Sequence, residues 1–233
     1  MGKKLMPDKY DLIARIYPAT IVLIPFLLFT MNCNSLNLLL HTLLKVKIVG
    51  NITIALILLY LLAQISRFLS KFIFESSYFK NDLDFPTTRF MLFVDPQFSR
   101  DYKMQIRAKV KSDFKIDLPN ELEEREDLLE SKKRIVETVG LIREKVKGGR
   151  LLLQHNIEYG FARNLIGGAV IGLVMSIVDI VYFYLMNNSL IFFVSIFTAF
   201  LFLIILLSSK LIMNRLGDQY AKRLFVEYLN SQK

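Results

Sequence analysis

The sequence lacks most of the residues from which catalytic and metal sites are built. Its single cysteine, Cys33, cannot form an internal disulfide, so no oxidising compartment is implied. The two histidines, His41 and His155, lie on opposite sides of the membrane in the topology derived below, which argues against a histidine-based metal site. The chain has no Walker loop, nucleophile elbow or glycine-rich dinucleotide motif. We therefore predict a protein that is not an enzyme and uses no metal or cofactor.

Charge is missing from long parts of the chain. No charged residue occurs between Ile48 and Leu62, and between Leu165 and Ser209 the only one is Asp179. Hydrophobic residues make up 53% of the 233 positions, above the ~45–50% of soluble domains. Because these residues are collected in blocks rather than spaced along amphipathic helices, the composition indicates a membrane protein.

Four apolar stretches account for this excess, and the last three reach the ~20 residues that a helix needs to cross hydrocarbon. We predict an all-α membrane protein in which two pairs of transmembrane helices flank a mainly helical cytosolic domain. The predicted division is a first helix pair at 12–69, the cytosolic domain at 70–164, a second helix pair at 165–211 and a basic cytosolic tail at 212–233. The apolar stretches themselves are 17–31, 48–69, 165–186 and 190–209.

The first apolar stretch is shorter than the others and contains two prolines. A basic start followed by a short apolar run also fits a cleaved signal peptide. However, the polar residues after Met31 form a poor cleavage site, and Asp11 and Arg15 separate the basic start from the apolar run. We therefore favour a retained helix, which is long enough to span if it extends back to Leu12, with a kink expected at Pro25.

The distribution of charge predicts how the chain is oriented. It has 30 Lys and Arg against 21 Asp and Glu, a net charge of +9, yet residues 67–163 hold 19 cations and 16 anions, an excess of only 3. Much of the remaining excess adjoins the ends of the apolar stretches, where it would contact anionic lipid headgroups. We expect contact with the lipid bilayer rather than nucleic-acid binding. The positive-inside rule places both termini and the charged middle in the cytoplasm.

Two helices are predicted in this charged middle. Residues 99–111 form a helix that begins at an N-capping Ser99, with apolar residues on one face and cations on the other. Residues 120–147 begin with acids and end with bases before two glycines, which complements a helix dipole. The apolar face of this second helix is expected to pack on other helices. The short run 90–94 is predicted to be an extended segment packed on helices.

One face of the third apolar stretch combines small residues with an acid. At 1.5 Å per residue Asp179 lies only ~5 Å from the centre of the bilayer, where a charge is costly. In one interpretation the acid is neutral or hydrogen-bonded and holds helices together. In the other it lines an ion or proton path in an oligomer. The rest of this face permits close helix packing and consists of Gly168, Gly172 and Ser176.

The polar and aromatic segment 156–164 leads into the third apolar stretch. It either fastens the insert to the membrane boundary or contributes to a ligand site. In the second interpretation, Arg89 and residues of this segment form a polar pocket for an anionic signal, because arginine suits phosphate geometry. The candidate residues for the junction, or for a ligand or partner, are Arg89, Asn156, Tyr159, Arg163 and Asn164.

The chain resembles a group of bacterial membrane proteins in two short segments. These are Pro86-Thr87-Thr88-Arg89, with Asp95 shortly after, and the run from Asn156 to Asn164. Members of this group have two helix pairs around a cytosolic insert, so the resemblance implies a multi-pass protein of the bacterial inner membrane. Small multi-span proteins of this kind look like membrane effectors of anti-phage defence systems, in which a cytosolic sensor region controls permeability. No catalytic residue is carried over from the resemblance.

The leading hypothesis is therefore a non-enzymatic inner-membrane effector, or a membrane subunit, of an anti-phage system. It would form a homo-oligomer and alter membrane permeability when a cytosolic partner protein or a small anionic signal engages the insert. The alternative is a membrane anchor or scaffold that recruits a cytosolic partner. A small transporter is the third option, but it would need a second polar group inside the membrane besides Asp179.

Overall fold

The computed structural model describes residues 9–33 and 48–231, so His41 lies outside the described residues. All regular secondary structure in these two ranges is helical. The helix α1 covers Lys9–Asn32, and α2 comprises Ile48–Leu69, a π-helical turn Ser70–Glu75 and Ser76–Phe79. The remaining helices are α3 (Pro86–Arg89), α4 (Arg100–Phe114), α5 (Glu121–Glu126), α6 (Leu128–Lys145), α7 (Arg150–Leu185), α8 (Ser189–Leu207) and α9 (Ser209–Asn230).

Four of the described helical segments are long and apolar enough to cross a membrane. They are Lys9–Asn32, Ala55–Phe79, Leu152–Leu185 and Ser189–Leu207. The predicted all-helical class with four helices capable of spanning is therefore confirmed. A tight turn joins the last two, in which Asn187 adopts a left-handed backbone (φ 54°) and Asn188 caps α8 by accepting from the Ile191 N–H at 3.3 Å.

The helix α1 is irregular at two places. Residues Leu12–Ile16 form a π-helical turn, and the helix is interrupted at Leu23. The interruption lies two residues before Pro25, whose ring nitrogen cannot donate a helical hydrogen bond and whose ring disturbs the preceding turn. The irregularity expected from Pro25 is thus present, displaced by two positions.

The chain divides into two compact units. The span unit consists of Met1–Phe74 and Gly160–Lys210, and the helical unit consists of Glu75–Tyr159 and Leu211–Lys233. The first ten residues of α7 belong to the helical unit, and the remainder of α7 belongs to the span unit.

The helical unit has its own hydrophobic core, built mainly by α4, α6 and α9. The apolar face of α6 packs on other helices, as predicted. The basic tail predicted at 212–233 is helical as far as Asn230, because α9 carries an apolar stripe at three- and four-residue spacing that packs into this core. The core residues include Ile106 and Val110 of α4, Ile135, Val139 and Ile142 of α6, and Leu224, Phe225 and Tyr228 of α9.

Local signals explain where these helices begin. Ser99 accepts the Tyr102 N–H at 3.2 Å, which confirms the predicted N-cap of α4. The predicted helix 120–147 is instead two helices, because Asn120 forms a capping box for α5 and Asp127 then caps α6 by accepting from Glu130 N–H at 2.9 Å. The prediction of an extended segment at 90–94 is wrong, since these residues form turns.

Candidate functional site

The small residues of α7 are points of close approach between helices of the span unit. A Cβ atom added to Gly167 would lie 2.1 Å from the backbone oxygen of Ser66 in α2. At Gly168 it would lie 2.5 Å from Val22 Cγ2 in α1. At Gly172 it would lie 2.6 Å from the Phe202 ring in α8. The face predicted from small-residue spacing therefore packs against three other helices.

Ser176 continues this face with a polar contact. Its hydroxyl donates to the Gly172 carbonyl at 2.8 Å and lies 3.2 Å from Thr198 Oγ1 of α8. Ser176 is fully buried, and Thr198 is 9% exposed. Serine and threonine hydroxyls commonly bond the carbonyl one turn back in apolar helices, which lets polar atoms lie inside an apolar bundle.

Asp179 is the most unusual side chain of this face. It has no exposed surface, and neither carboxylate oxygen has a hydrogen-bond partner among the described residues. Burial of an unpaired carboxylate is strongly unfavourable for its charged form. The acid is also enclosed by residues of a single copy of the chain.

The antiparallel register of α7 and α8 indicates which residue lies level with Asp179. Gly172 contacts Phe202, and Ser176 contacts Thr198, so four residues forward on α7 match four residues back on α8. Three further residues in each direction bring Asp179 level with Ser195, which is also fully buried. We call Ser176, Asp179, Ser195 and Thr198 the hydroxyl–acid cluster.

Asn164 binds α7 to α1 at the other end of this region. Its Nδ2 donates to the backbone oxygen of Ala14 at 2.6 Å, and both residues are buried. Pro18 lies four residues after Ala14 and has no N–H to donate to that oxygen. The Asn164 amide therefore supplies a donor that the helix itself cannot, and the contact fastens two helices of the span unit.

Arg89, one of the predicted ligand residues, is already paired with carboxylates. Its Nε lies 3.1 Å from Asp95 Oδ2, and its Nη2 donates to Asp218 Oδ1 at 3.0 Å. Burial raises the pKa of Asp218, and the positive charge of Arg89 opposes this effect. Arg89 of the Pro-Thr-Thr-Arg segment thus takes part in an ion-pair network inside the helical unit.

The other predicted junction residues occupy different environments. Asn156 is exposed, and Arg163 is half-buried in the span unit. Tyr159 is buried in the helical unit, where its hydroxyl donates to Glu75 Oε1 at 3.0 Å and its ring meets Phe85 edge-on at 5.6 Å. The anion pocket proposed for these residues and Arg89 stays a prediction.

Sequence reasoning missed a buried ionic cluster in the helical unit. The cations of α4 were predicted on the face opposite its apolar residues, but Lys103 is 2% exposed and donates to the carbonyls of Leu92 at 2.6 Å and Asp95 at 2.5 Å. Arg107 donates to Glu124 at 3.0 Å and to the Met91 carbonyl. The signal was the spacing of the two cations, which share the face of the apolar core residues of α4.

The buried charges have pKa values displaced by burial. Burial lowers the pKa of Lys103 and of Arg107 and raises the pKa of Glu124. The ion pair between Arg107 and Glu124 opposes the effect of burial on the pKa of each of these two residues. Glu124 Oε2 also accepts the Phe93 N–H at 2.8 Å. These contacts fix the turn at 90–95, which is flanked by two clefts of about 280 Å³ that share Phe93 and Glu121.

Comparisons with family models, curated proteins and solved structures find no match. Function must therefore be inferred from the residues and geometry described above.

Proposed function

We propose that the protein is a non-enzymatic effector, or membrane subunit, of an anti-phage defence system in the bacterial inner membrane. Its spans form two helix pairs, with both termini and the helical unit in the cytoplasm. The protein is a homo-oligomer, and its spans open a path for ions when a partner protein or a small anionic signal engages the helical unit. The orientation is supported by the charge distribution of the chain.

The observation that carries this proposal is the full burial of Asp179 without a hydrogen-bond partner among the described residues. Insertion scales assign a charged side chain at the centre of a membrane helix a cost of about 2.5–3.5 kcal/mol, and such residues usually mark ion paths or paired sites. A purely structural role for Asp179 requires hydrogen-bond partners, and the described residues supply none. A functional role explains why an acid is retained at a position where an apolar residue would pack at lower cost.

Full burial of Asp179 corresponds to a closed state in this proposal. Because the acid is enclosed by helices of its own chain, permeation requires α7 to move relative to its neighbours. The contacts that resist this movement are the backbone approach at Gly167, the ring contact at Gly172 and the hydroxyl contact at Ser176.

The second candidate is a membrane anchor that recruits a cytosolic protein. It is favoured by the clefts beside Phe93, which are lined by both acids and bases and lie in a unit with its own core. In that case Asp179→Asn has no effect on activity, whereas Arg125→Glu at the rim of one cleft abolishes recruitment.

The test is ion flux through liposomes that contain the purified full chain. The wild type, Asp179→Asn and a control, Thr20→Val, are compared with and without cytosol from phage-infected cells. Thr20 also carries a hydroxyl that bonds its own helix, at 2.8 Å to the Tyr17 carbonyl, but it is exposed. We expect infected cytosol to trigger flux in the wild type and in Thr20→Val and not in Asp179→Asn. Equal leakage from all three, or none from any, contradicts the proposal.

A further inference from the structure

We propose that the hydroxyl–acid cluster binds one small monovalent cation, a proton or a sodium ion, held by the Asp179 carboxylate and by the hydroxyl oxygens of Ser176, Ser195 and Thr198. The inference rests on the proposed function only in naming the ion that the path carries. Binding itself is testable in the closed protein without any measurement of flux.

Each hydroxyl of the cluster has a backbone carbonyl acceptor on its own helix, and each of these contacts is short. Ser176 donates to Gly172 at 2.8 Å, Ser195 donates to Ile191 at 2.8 Å, and Thr198 donates to Ser195 at 2.9 Å. Ser176 and Thr198 also lie 3.2 Å apart, where either hydroxyl can donate to the other. All three hydrogens thus have acceptors other than Asp179, and lone pairs are what the three oxygens offer to the acid.

A carboxylate also presents only lone pairs, so the three hydroxyls offer Asp179 neither a donor nor a positive charge. Such a group of buried oxygens is stabilised by a bound proton, which turns Asp179 into a donor, or by a cation with a preference for oxygen ligands. One carboxylate balances one positive charge, which favours a monovalent ion.

Between Leu165 and Ser209 Asp179 is the only charged residue, and α1 has none from Tyr17 to Cys33. The part of α2 from 48 to 66 has none either. The titratable groups close to the cluster along the chain are Tyr182, one turn further on α7, and Cys33, whose sulfur accepts the Tyr182 hydroxyl at 3.4 Å. Within these described stretches no group brings a positive charge to Asp179, and we assign its countercharge to an ion from solution.

The experiment uses the full chain in lipid nanodiscs. Infrared spectroscopy detects a protonated carboxyl group through its carbonyl band, and thermal unfolding detects sodium binding as a rise in Tm in sodium chloride over choline chloride at equal ionic strength. A carboxyl band at neutral pH that persists in sodium identifies a proton. A band that sodium removes, together with a higher Tm, identifies a sodium site. The carboxyl band and the sodium-dependent rise in Tm must both be absent from Asp179→Asn.

Two further variants separate binding from general stability. Thr198→Val and Ser195→Ala each remove one hydroxyl oxygen, and we expect each to shift the frequency of the carboxyl band or to weaken sodium binding about tenfold or more. The control Thr20→Val changes neither. The proposal is overturned if the wild type shows no carboxyl band and no dependence on sodium, or if its signals persist in Asp179→Asn. Absence of flux in liposomes with these binding signals intact contradicts only the proposed function.

Discussion

Adding a single methyl group to glycines of α7 should destabilise the protein in an order set by what each methyl meets. At Gly167 the added carbon would lie 2.1 Å from Ser66 O and 2.6 Å from Ser70 N, which are both backbone atoms of α2. Neither atom can rotate away, so α2 as a whole must move. At Gly172 the added carbon would meet only the ring of Phe202, at 2.6 to 2.8 Å, and a side chain can turn aside.

The magnitudes follow from these contacts. Forcing extra carbon atoms into a packed interior costs about 1–3 kcal/mol, and we place Gly172→Ala in this range and Gly167→Ala at or above its upper end. Gly140 on α6 is the matched control, because it is exposed and nothing lies within 4 Å of its added carbon. Gly140→Ala should stabilise the helix by about 0.5–1 kcal/mol, since alanine is the better helix former.

Thermal unfolding of the three variants in one detergent measures this order. We expect the Tm to fall most in Gly167→Ala, less in Gly172→Ala and not at all in Gly140→Ala. If Gly167→Ala is as stable as the wild type, then α7 and α2 do not touch through their backbones, and the packing described for the span unit is wrong.

Three further predictions concern single side chains. Asn164→Ala should lower the stability measured by thermal unfolding by about 1–3 kcal/mol, because it leaves the buried Ala14 carbonyl unpaired. The loss should be smaller in a Pro18→Ala background, where the helix regains an N–H donor, and equal losses in the two backgrounds would refute this. Lys145 lowers the pKa of Asp113 below its ordinary value of 3.8. The stabilisation from this ion pair is therefore present above pH 3.8 and is lost as the pH falls through the lowered pKa. Acid unfolding of Asp113→Asn should lack this dependence on pH. Glu124→Gln should lower the stability measured by urea unfolding by about 3–5 kcal/mol, because it leaves the buried charge of Arg107 unpaired. The exposed control Arg125→Gln should lower it by less than about 1 kcal/mol. Similar losses in the two variants would contradict the buried cluster.

The membrane class and the helix starts could be predicted because they depend on local sequence. Uncharged runs long enough to span hydrocarbon, the N-cap at Ser99 and the turn at Asn187 all act within a few residues. The close-packed face of α7 was also predictable, because glycine and serine at four-residue spacing permit close approach whichever helix makes it.

The features that sequence reasoning missed depend on contacts between distant segments. Lys103 and Arg107 were predicted among cations opposite the apolar face of α4, and the carbonyls that allow their burial belong to the turn at 90–95 and to Pro119. The apolar stripe of α9 was obscured by the basic charge of its other residues. That Ser195 lies level with Asp179 follows from the α7–α8 register, which a turn centred on Asn187 could have indicated.

The functional account depends on whether Asp179 carries out a membrane activity or only holds helices together. The most direct measurement is the membrane potential of bacteria that express the wild type, Asp179→Asn or Thr20→Val during phage infection, at matched protein levels in the membrane. We predict that infection depolarises cells with the wild type or Thr20→Val and leaves cells with Asp179→Asn polarised. Depolarisation that is equal in all three strains, or protection from phage without any depolarisation, would contradict the account.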